Sequence, residues 1–412
     1  MLQELPPSLS SMGRSRLTGS GAPQNKKPSP KKFSRGKKIA LGIVTVLLIV
    51  GGLAFWKADS VIKKISPNGG LFSSLVHSLP GVSSTLQGES DGRINILLLA
   101  MRGEGVEGGG TLADTIEVLS LHIAKDSNDT SRASLVSIPR DLYVSVPGKD
   151  EKRKINAVYA LGNERDAKRG GMDDMRKVVG DVTGLPIQYA VVINYQGFTD
   201  LVNALGGINV HLDAAFDENV QFQQAQVCDP YVFTVPTNPV QYETKYGTRP
   251  SGRKYISKQY PLCYNKDEEC GGNFALPAGD NHLDGIGALC FARARYTTTD
   301  FDRARRQQEV IQSVRQKATS LGTLTDISTV NKMLGALGNN LKTDLEPWEM
   351  ERFFELYKNK FSAVTPKTAV IDDSSSPTGF LYAPAMTPET GYILLPKGDT
   401  YDQIKAYFQK IP

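Results

Sequence analysis

The sequence predicts an α/β fold, a central mixed β-sheet flanked by helices, and three observations predict it. Near-continuously apolar runs, INILLLA at 94–100 and ASLVSI at 133–138, read as strands buried on both faces. Stretches of helical period around 156–164, 173–183 and 198–204 alternate with strand-like runs. Charged groups then cluster just past the strand ends, where open α/β sheets place their ligands.

Along the chain, residues 1–38 come first, rich in Ser, Pro, Gly and Lys, with nine Lys or Arg against one acid, Glu4. Such a segment buries too little apolar surface to fold, so a disordered basic tail is expected. The whole chain sums to only +5, so everything after the tail is net acidic. The basic excess is therefore a property of the tail, and no nucleic-acid partner is expected for the folded part. From Ile39 to Trp56 runs IALGIVTVLLIVGGLAFW, eighteen residues without a charge and long enough to cross a bilayer as one helix. Lysines and arginines preceding it, Lys37 and Lys38 included, outweigh Lys57, Lys63 and Lys64 beyond it, which places the N-terminus in the cytosol. Phe55 to Asp59 offers no small-x-small cleavage site, so a single N-terminal transmembrane signal anchor is expected rather than a cleaved signal peptide. The chain then reads as a single-pass cell-membrane protein with its folded part extracytoplasmic.

Residues 57–91 read as a stalk, and the catalytic-type domain as 92–320. After the first strand come TIEVLSLHI at 115–123, the third strand, the first two helices, a strand at 189–194 and a helix stopped by Gly206-Gly207 before the strand of GGINVHL. Residues 217–275, with six tyrosines, several prolines and three cysteines, break this rhythm and read as an insertion without assignable structure. Residues 321–412 propose helices near 326–340 and 346–359, the strand TAVID and a last helix near 401–409, either a continuation of the domain or a small second one.

The cysteines suit an oxidising compartment. One disulfide among Cys228, Cys263 and Cys270 is expected, while Cys290, inside the apolar GALCFA, reads as a buried free thiol. Their spacing fits no zinc pattern, and His77, His122, His211 and His282 supply no evident partner for a catalytic thiol.

The densest chemistry is CFARARYTTTDFDRARRQQ at 290–308. A helix starting near Phe301 puts Arg303, Arg306, Gln307 and Val310 on one face, and Arg293 and Arg295 alternate just before it. Guanidinium groups match phosphate oxygens bidentately and keep their charge, so converging arginines suit a phosphate or pyrophosphate. A solvated basic face paired with Asp300, Asp302 and Glu309 is the alternative. Beyond a buried strand, SIPRDLYV presents Arg140 and Asp141, and the glycine-rich MRGEGVEGGGTLADT delivers Asp114 with Glu104 and Glu107. Glycines let backbone approach a phosphate, and carboxylates hold Mg²⁺, although the loop has neither a P-loop ending nor a dinucleotide spacing. A local Arg140–Asp141 salt bridge and a capping role for Asp114 are the competing readings.

In order along the chain, INILLL at 94–99, Asp114-Thr115, SIPRD at 137–141, KIN at 154–156, Phe198 with Gly206-Gly207, Leu283-x-Gly285-x-x-Ala288-Leu289, Arg293-x-Arg295 and Asp300-Phe301-x-Arg303-x-x-Arg306-Gln307-Gln308 resemble the LytR-CpsA-Psr family. ILLPKGDTYDQI near the end resembles the close of some members. The resemblance implies a membrane-anchored phosphotransferase that moves a glycopolymer from a polyprenyl-pyrophosphate carrier to a cell-wall hydroxyl on peptidoglycan, with Mg²⁺ (or Mn²⁺). A polyprenyl-pyrophosphate hydrolase and a non-catalytic polyprenyl-pyrophosphate-binding protein are the rival readings.

Carried over by position, Arg140, Lys154, Arg293, Arg295, Arg303, Arg306 and Gln307 would hold the pyrophosphate, Asp114 would bind the metal, and Asp141, Asp300 and Arg140 would serve catalysis. One position departs. Where the family pattern LLLG-x-D has its aspartate, this chain has Arg102, and Glu107 in the glycine loop is expected to replace the missing metal ligand. An apolar pocket for the polyprenyl chain is also implied, but Val191, Ile193, Leu201, Leu205 and Val310 would serve equally as ordinary core.

Overall fold

The structure is a computed structural model that describes residues 85–412, apart from 127, 219–221, 223, 231, 266–269, 271–273, 323–328, 331–332, 334, 336 and 412. The expected tail, the span 39–56 and most of the stalk lie outside the described residues. Among those residues no helix is long and apolar enough to cross a membrane.

Six strands form the central sheet, in the order Leu341–Thr343, Tyr189–Asn194, β1 (Arg93–Met101), β2 (Ala113–His122), β3 (Arg132–Ser137) and Lys367–Val370. β1 runs parallel to Tyr189–Asn194 and antiparallel to β2, and β3 runs antiparallel to β2 and parallel to Lys367–Val370. The sheet is therefore mixed, as the sequence predicts. Apolar runs in β1 and β3 follow from cover on both faces. Leu97, Leu99 and Met101 point to one side, where they pack with Val179 and Val182 of the Gly170–Thr183 helix and Ile404 and Phe408 of the Asp402–Lys410 helix. On the other side Ile96 meets Leu356 and Phe361, with Leu98 partly buried beside them. Each such aliphatic side chain contributes on the order of 1.5–3 kcal/mol by leaving water.

The topology gathers one set of chain ends. Parallel pairing aligns Met101 with Asn194, so the exits of both strands adjoin. β2 enters at the same edge, and β3 leaves there into Arg140 and Asp141. Between Ala100 and Met101 the register slips, Ala100 facing Thr115 and Met101 facing Ala113. The residue left over by that bulge is Asp114, and bulges of this kind re-aim a side chain.

The long helix Asp300–Ser320 begins in a capping box of Thr299 and Asp302, which fixes its start three residues before Arg303. The C-terminal segment proves integral to the domain: Leu341–Thr343 and Lys367–Val370 join the sheet, and Phe408 is fully buried in its core.

Residues 217–275, read from the sequence as an insertion of uncertain structure, carry a sheet of their own among the described residues. Four strands, Gln226–Val227, Phe233–Pro236, Tyr242–Thr248 and Lys254–Asn265, make a separate antiparallel sheet whose last two strands form a long hairpin. Cys228 pairs with Cys263, within the trio expected to hold one disulfide. The expectation of a free Cys290 is corrected: this residue of the Gly285–Arg293 helix is buried but bonded to Cys270. Folding brings the two Cα atoms to 5.8 Å, a proximity that a sequence separation of 20 does not disclose.

Candidate functional site

At the joined strand ends lies a cavity of about 460 Å³ lined by five arginines (Arg102, Arg140, Arg293, Arg295 and Arg303) against two aspartates, Asp114 and Asp229. Gly108 and Gly109 of the glycine-rich loop, Asn156, Tyr195 and Gln307 also face it.

Arg140 is the best-braced cation. Its Nη1 donates to Asp114 Oδ1 at 2.6 Å, and its Nε stands 3.4 Å from Asp300 and 3.6 Å from Asp141. Burial works against the charge, but the three carboxylates outweigh it and hold Arg140 firmly protonated. Burial likewise pushes the Asp114 carboxyl up, yet Arg140 and Arg303 keep it below the ordinary range, and the Tyr195 hydroxyl donates to its second oxygen at 3.0 Å. Tyr195 is itself raised by burial and by the Asp114 charge, so it stays a donor. Arg303 goes the other way: burial, and then the like charge of Arg140, push it below the usual guanidinium range despite Asp300 at 3.3 Å. This end of the cavity is short of negative charge. Four of the five arginines also hold a buried nitrogen that makes no hydrogen bond: Arg102 Nε, Arg140 Nε, Arg293 Nη1 and Arg303 Nε. Unmet donors around a cavity call for an anion with several acceptor oxygens.

Arg293 is supported differently. Its guanidinium sits 4.9 Å from the Tyr195 ring centroid and 5.9 Å from that of Phe233, and Nη2 donates to Asp229 at 2.9 Å. Asp229 comes from the insertion, almost wholly buried, and accepts from the backbone N–H of Val232 at 2.7 Å. The same carboxylate lies 3.6 Å from Arg102 Nη2, which donates to the Cys228 carbonyl at 3.1 Å. Glu218, also in the insertion and fully buried, accepts from the backbone N–H groups of Arg295, Tyr296 and Thr297 and so fixes the loop before the long helix.

The polar cavity adjoins an apolar one of about 290 Å³, lined by Leu98, Val191, Ile193, Phe198, Leu201, Leu289 and Val310 among others. Tyr195, Arg293 and Gln307 belong to both walls. Of the residues considered for an apolar pocket, Val191, Ile193, Leu201 and Val310 line it, and Leu205 is buried elsewhere.

Among the sequence-derived candidates, Asp114, Arg140, Arg293, Arg295, Arg303 and Gln307 converge on the polar cavity. Asp141 and Asp300 stand behind Arg140 on a small neighbouring cleft rather than on the large cavity. Lys154 is tied to Asp141 at 2.7 Å. Arg306 does not reach the cavity. Buried between the Phe216 and Phe291 rings, it donates to the carbonyls of Phe291 and Ala294, orphan acceptors at the end of the Gly285–Arg293 helix. Burial pushes it down to about 10. Glu107 is exposed and off the cavity wall, and Glu104 pairs with Lys342 at 2.6 Å.

These residues do not fit a divalent cation. Both Asp114 oxygens are engaged, Asp229 serves two arginines, and a cation entering the cavity would meet five others. Among the described residues no group of three or more His, Cys, Asp or Glu side chains is placed to hold a metal.

The sequence passed over Tyr195 and Asp229. Tyr195 had a signal, as the first residue beyond a strand at the ligand edge; Asp229 had none.

The LytR_cpsA_psr family model matches residues 73–382. A Bacillus cereus protein named polyisoprenyl-teichoic acid–peptidoglycan teichoic acid transferase is 27% identical over 77% of this chain and 82% of its own length. A Bacillus mycoides protein of the same name is 28% identical over the same shares. A solved Streptococcus agalactiae structure superposes with a TM-score of 0.50 at 21% identity, covering 78% of this chain and 88% of its own.

Proposed function

The chain belongs to the LytR-CpsA-Psr family, and from that premise we propose that it transfers a glycopolymer from a polyprenyl-pyrophosphate carrier to a hydroxyl of the cell wall, acting from a membrane anchor at its N-terminus. The observation that carries this reading is the shared wall of Tyr195, Arg293 and Gln307. It joins a five-arginine cavity to an apolar one, a shape that suits a single amphiphile with a dianionic head and a hydrocarbon tail. The relatives named as teichoic acid transferases support the same class of donor and acceptor.

The acceptor oxygen forms a bond to the phosphorus that carries the glycan, the bridging P–O bond breaks, and its electron pair leaves on polyprenyl phosphate; the hydroxyl proton is released to water. Charge builds on the equatorial and departing oxygens, where positioned guanidinium groups lower the barrier. Asp114 and Asp300 are held at low pKa and make poor proton acceptors, so their work is to aim Arg140 and Arg303.

The test is release of polyprenyl phosphate from a short-chain polyprenyl-pyrophosphate glycan by the full chain in detergent, with and without a peptidoglycan fragment. Acceptor-stimulated release with the glycan recovered on the fragment supports transfer. Equal release without acceptor favours the hydrolase, and binding without release favours a carrier-binding protein.

A further inference from the structure

Arg102 follows β1 directly, at the position where the resemblance to the LytR-CpsA-Psr pattern implies an aspartate, and the structure gives it a built environment. Its side chain lines the polar cavity, Nη2 is held by the Cys228 carbonyl at 3.1 Å, and Nε is buried with no hydrogen bond. A lone arginine in so cationic a site would be repelled. This one comes with its counterion, because Asp229 stands 3.6 Å away, is 1% exposed, and is fixed by the N–H of Val232 at 2.7 Å. The disulfide of Cys228 to Cys263 ties down the residue next to it. Insertion and cation therefore form one unit.

From this geometry we propose that Arg102, braced by Asp229, supplies the positive charge that a metal-bearing carboxylate would otherwise bring to the pyrophosphate, so that turnover requires no divalent cation. The proposal rests on the transferase reading above. Charge balance supports it: five arginines against two aspartates leave the cavity wall with three positive charges in excess before any metal is added, which suits a dianionic pyrophosphate. Donor supply supports it independently. Asp114, the one wall carboxylate outside the Arg102–Arg293 pairing, already accepts from Arg140 and Tyr195, and Glu107 is off the cavity wall. In the transfer step Arg102 would offer Nε–H to an oxygen of the departing phosphate while the bridging P–O bond breaks and the acceptor O–P bond forms.

The experiment follows polyprenyl phosphate release by the full-length protein in excess chelator and after adding Mg²⁺ or Mn²⁺, alongside calorimetric binding of a short-chain polyprenyl pyrophosphate under the same two conditions. We expect wild-type rates to agree within about twofold and binding to persist in chelator. Arg102→Ala should lose roughly 10²-fold in chelator, in line with removal of one preorganised donor. Arg102→Lys keeps a charge beside Asp229, guards against misfolding of the alanine variant, and should retain metal independence at a reduced rate. Arg102→Asp should respond to added metal where the wild type does not. A tenfold or greater loss of wild-type release on chelation would overturn the inference and leave the transferase intact, as would an Arg102→Ala rate equal to wild type in a protein of unchanged melting temperature. No release under either condition would overturn the transferase reading, and this inference with it.

Discussion

Arg140 and Arg293 face the same cavity but are held in opposite ways. Around Arg140 the fold gathers three carboxylates, from the bulge at the start of β2, from the loop after β3 and from the start of the long helix. Arg293 has one carboxylate, lent by the insertion and shared with Arg102, and two aromatic rings. One side is redundant; the other hangs on a single residue. A cation with several counterions tolerates the loss of one, whereas a buried cation that loses its sole partner carries the whole desolvation penalty.

The comparison breaks most visibly at the cations themselves. Arg140→Ala and Arg293→Ala should each lower release of polyprenyl phosphate by about 10²–10³-fold, read as kcat in a steady-state assay. Next comes the asymmetry between their supports. Asp229→Ala should cost on the order of 3–5 kcal/mol in chemical denaturation and most of the activity, because it strands Arg293 and Arg102 together. Asp300→Asn, partly exposed and backed by Asp114 and Asp141, should cost about 1 kcal/mol or less and roughly tenfold in rate. An equal cost for the two would sink the distinction. Arg306→Met sharpens it further: melting temperature should drop while KM for the carrier in the folded fraction stays within about twofold, since this arginine serves helix carbonyls rather than ligand.

A pH-dependent effect lies under the Arg140 side, at Glu117. This carboxyl is fully buried beside Ser137 and Gln308, and burial raises it from 4.5 to about 8. A raised folded-state pKa means the native state binds the proton more tightly. Its stabilisation is complete below pH 4.5 and is lost as pH climbs through about 8. Wild-type melting temperature should therefore fall across that window, and Glu117→Gln should flatten the fall. A variant curve parallel to wild type would refute the assignment.

The redundant half of the site was the legible half. Apolar runs marked β1 and β3, and whatever follows a buried strand in an α/β sheet stands at the ligand edge, so Arg140 and Asp114 were found without coordinates. Helical period correctly grouped Arg303, Gln307 and Val310, but a period names a face and not its neighbours. It could not show that Arg306, on the rim of that face, meets the carbonyl end of another helix. Lys154 was drawn aside to Asp141 by a pairing thirteen residues away. Asp229 was out of reach because its position depends on a hairpin and two disulfides whose partners lie 35 and 20 residues apart. No period or motif encodes that closure.

The Cys228–Cys263 bond has one more consequence. Asp229 is its immediate neighbour, so a covalent cross-link joins the N–H of Val232 in fixing the counterion of two site arginines. Reducing that bond should therefore loosen the grip of Arg102 and Arg293 on an anion while leaving Arg140 braced, a difference that pyrophosphate binding measured with and without a thiol would read.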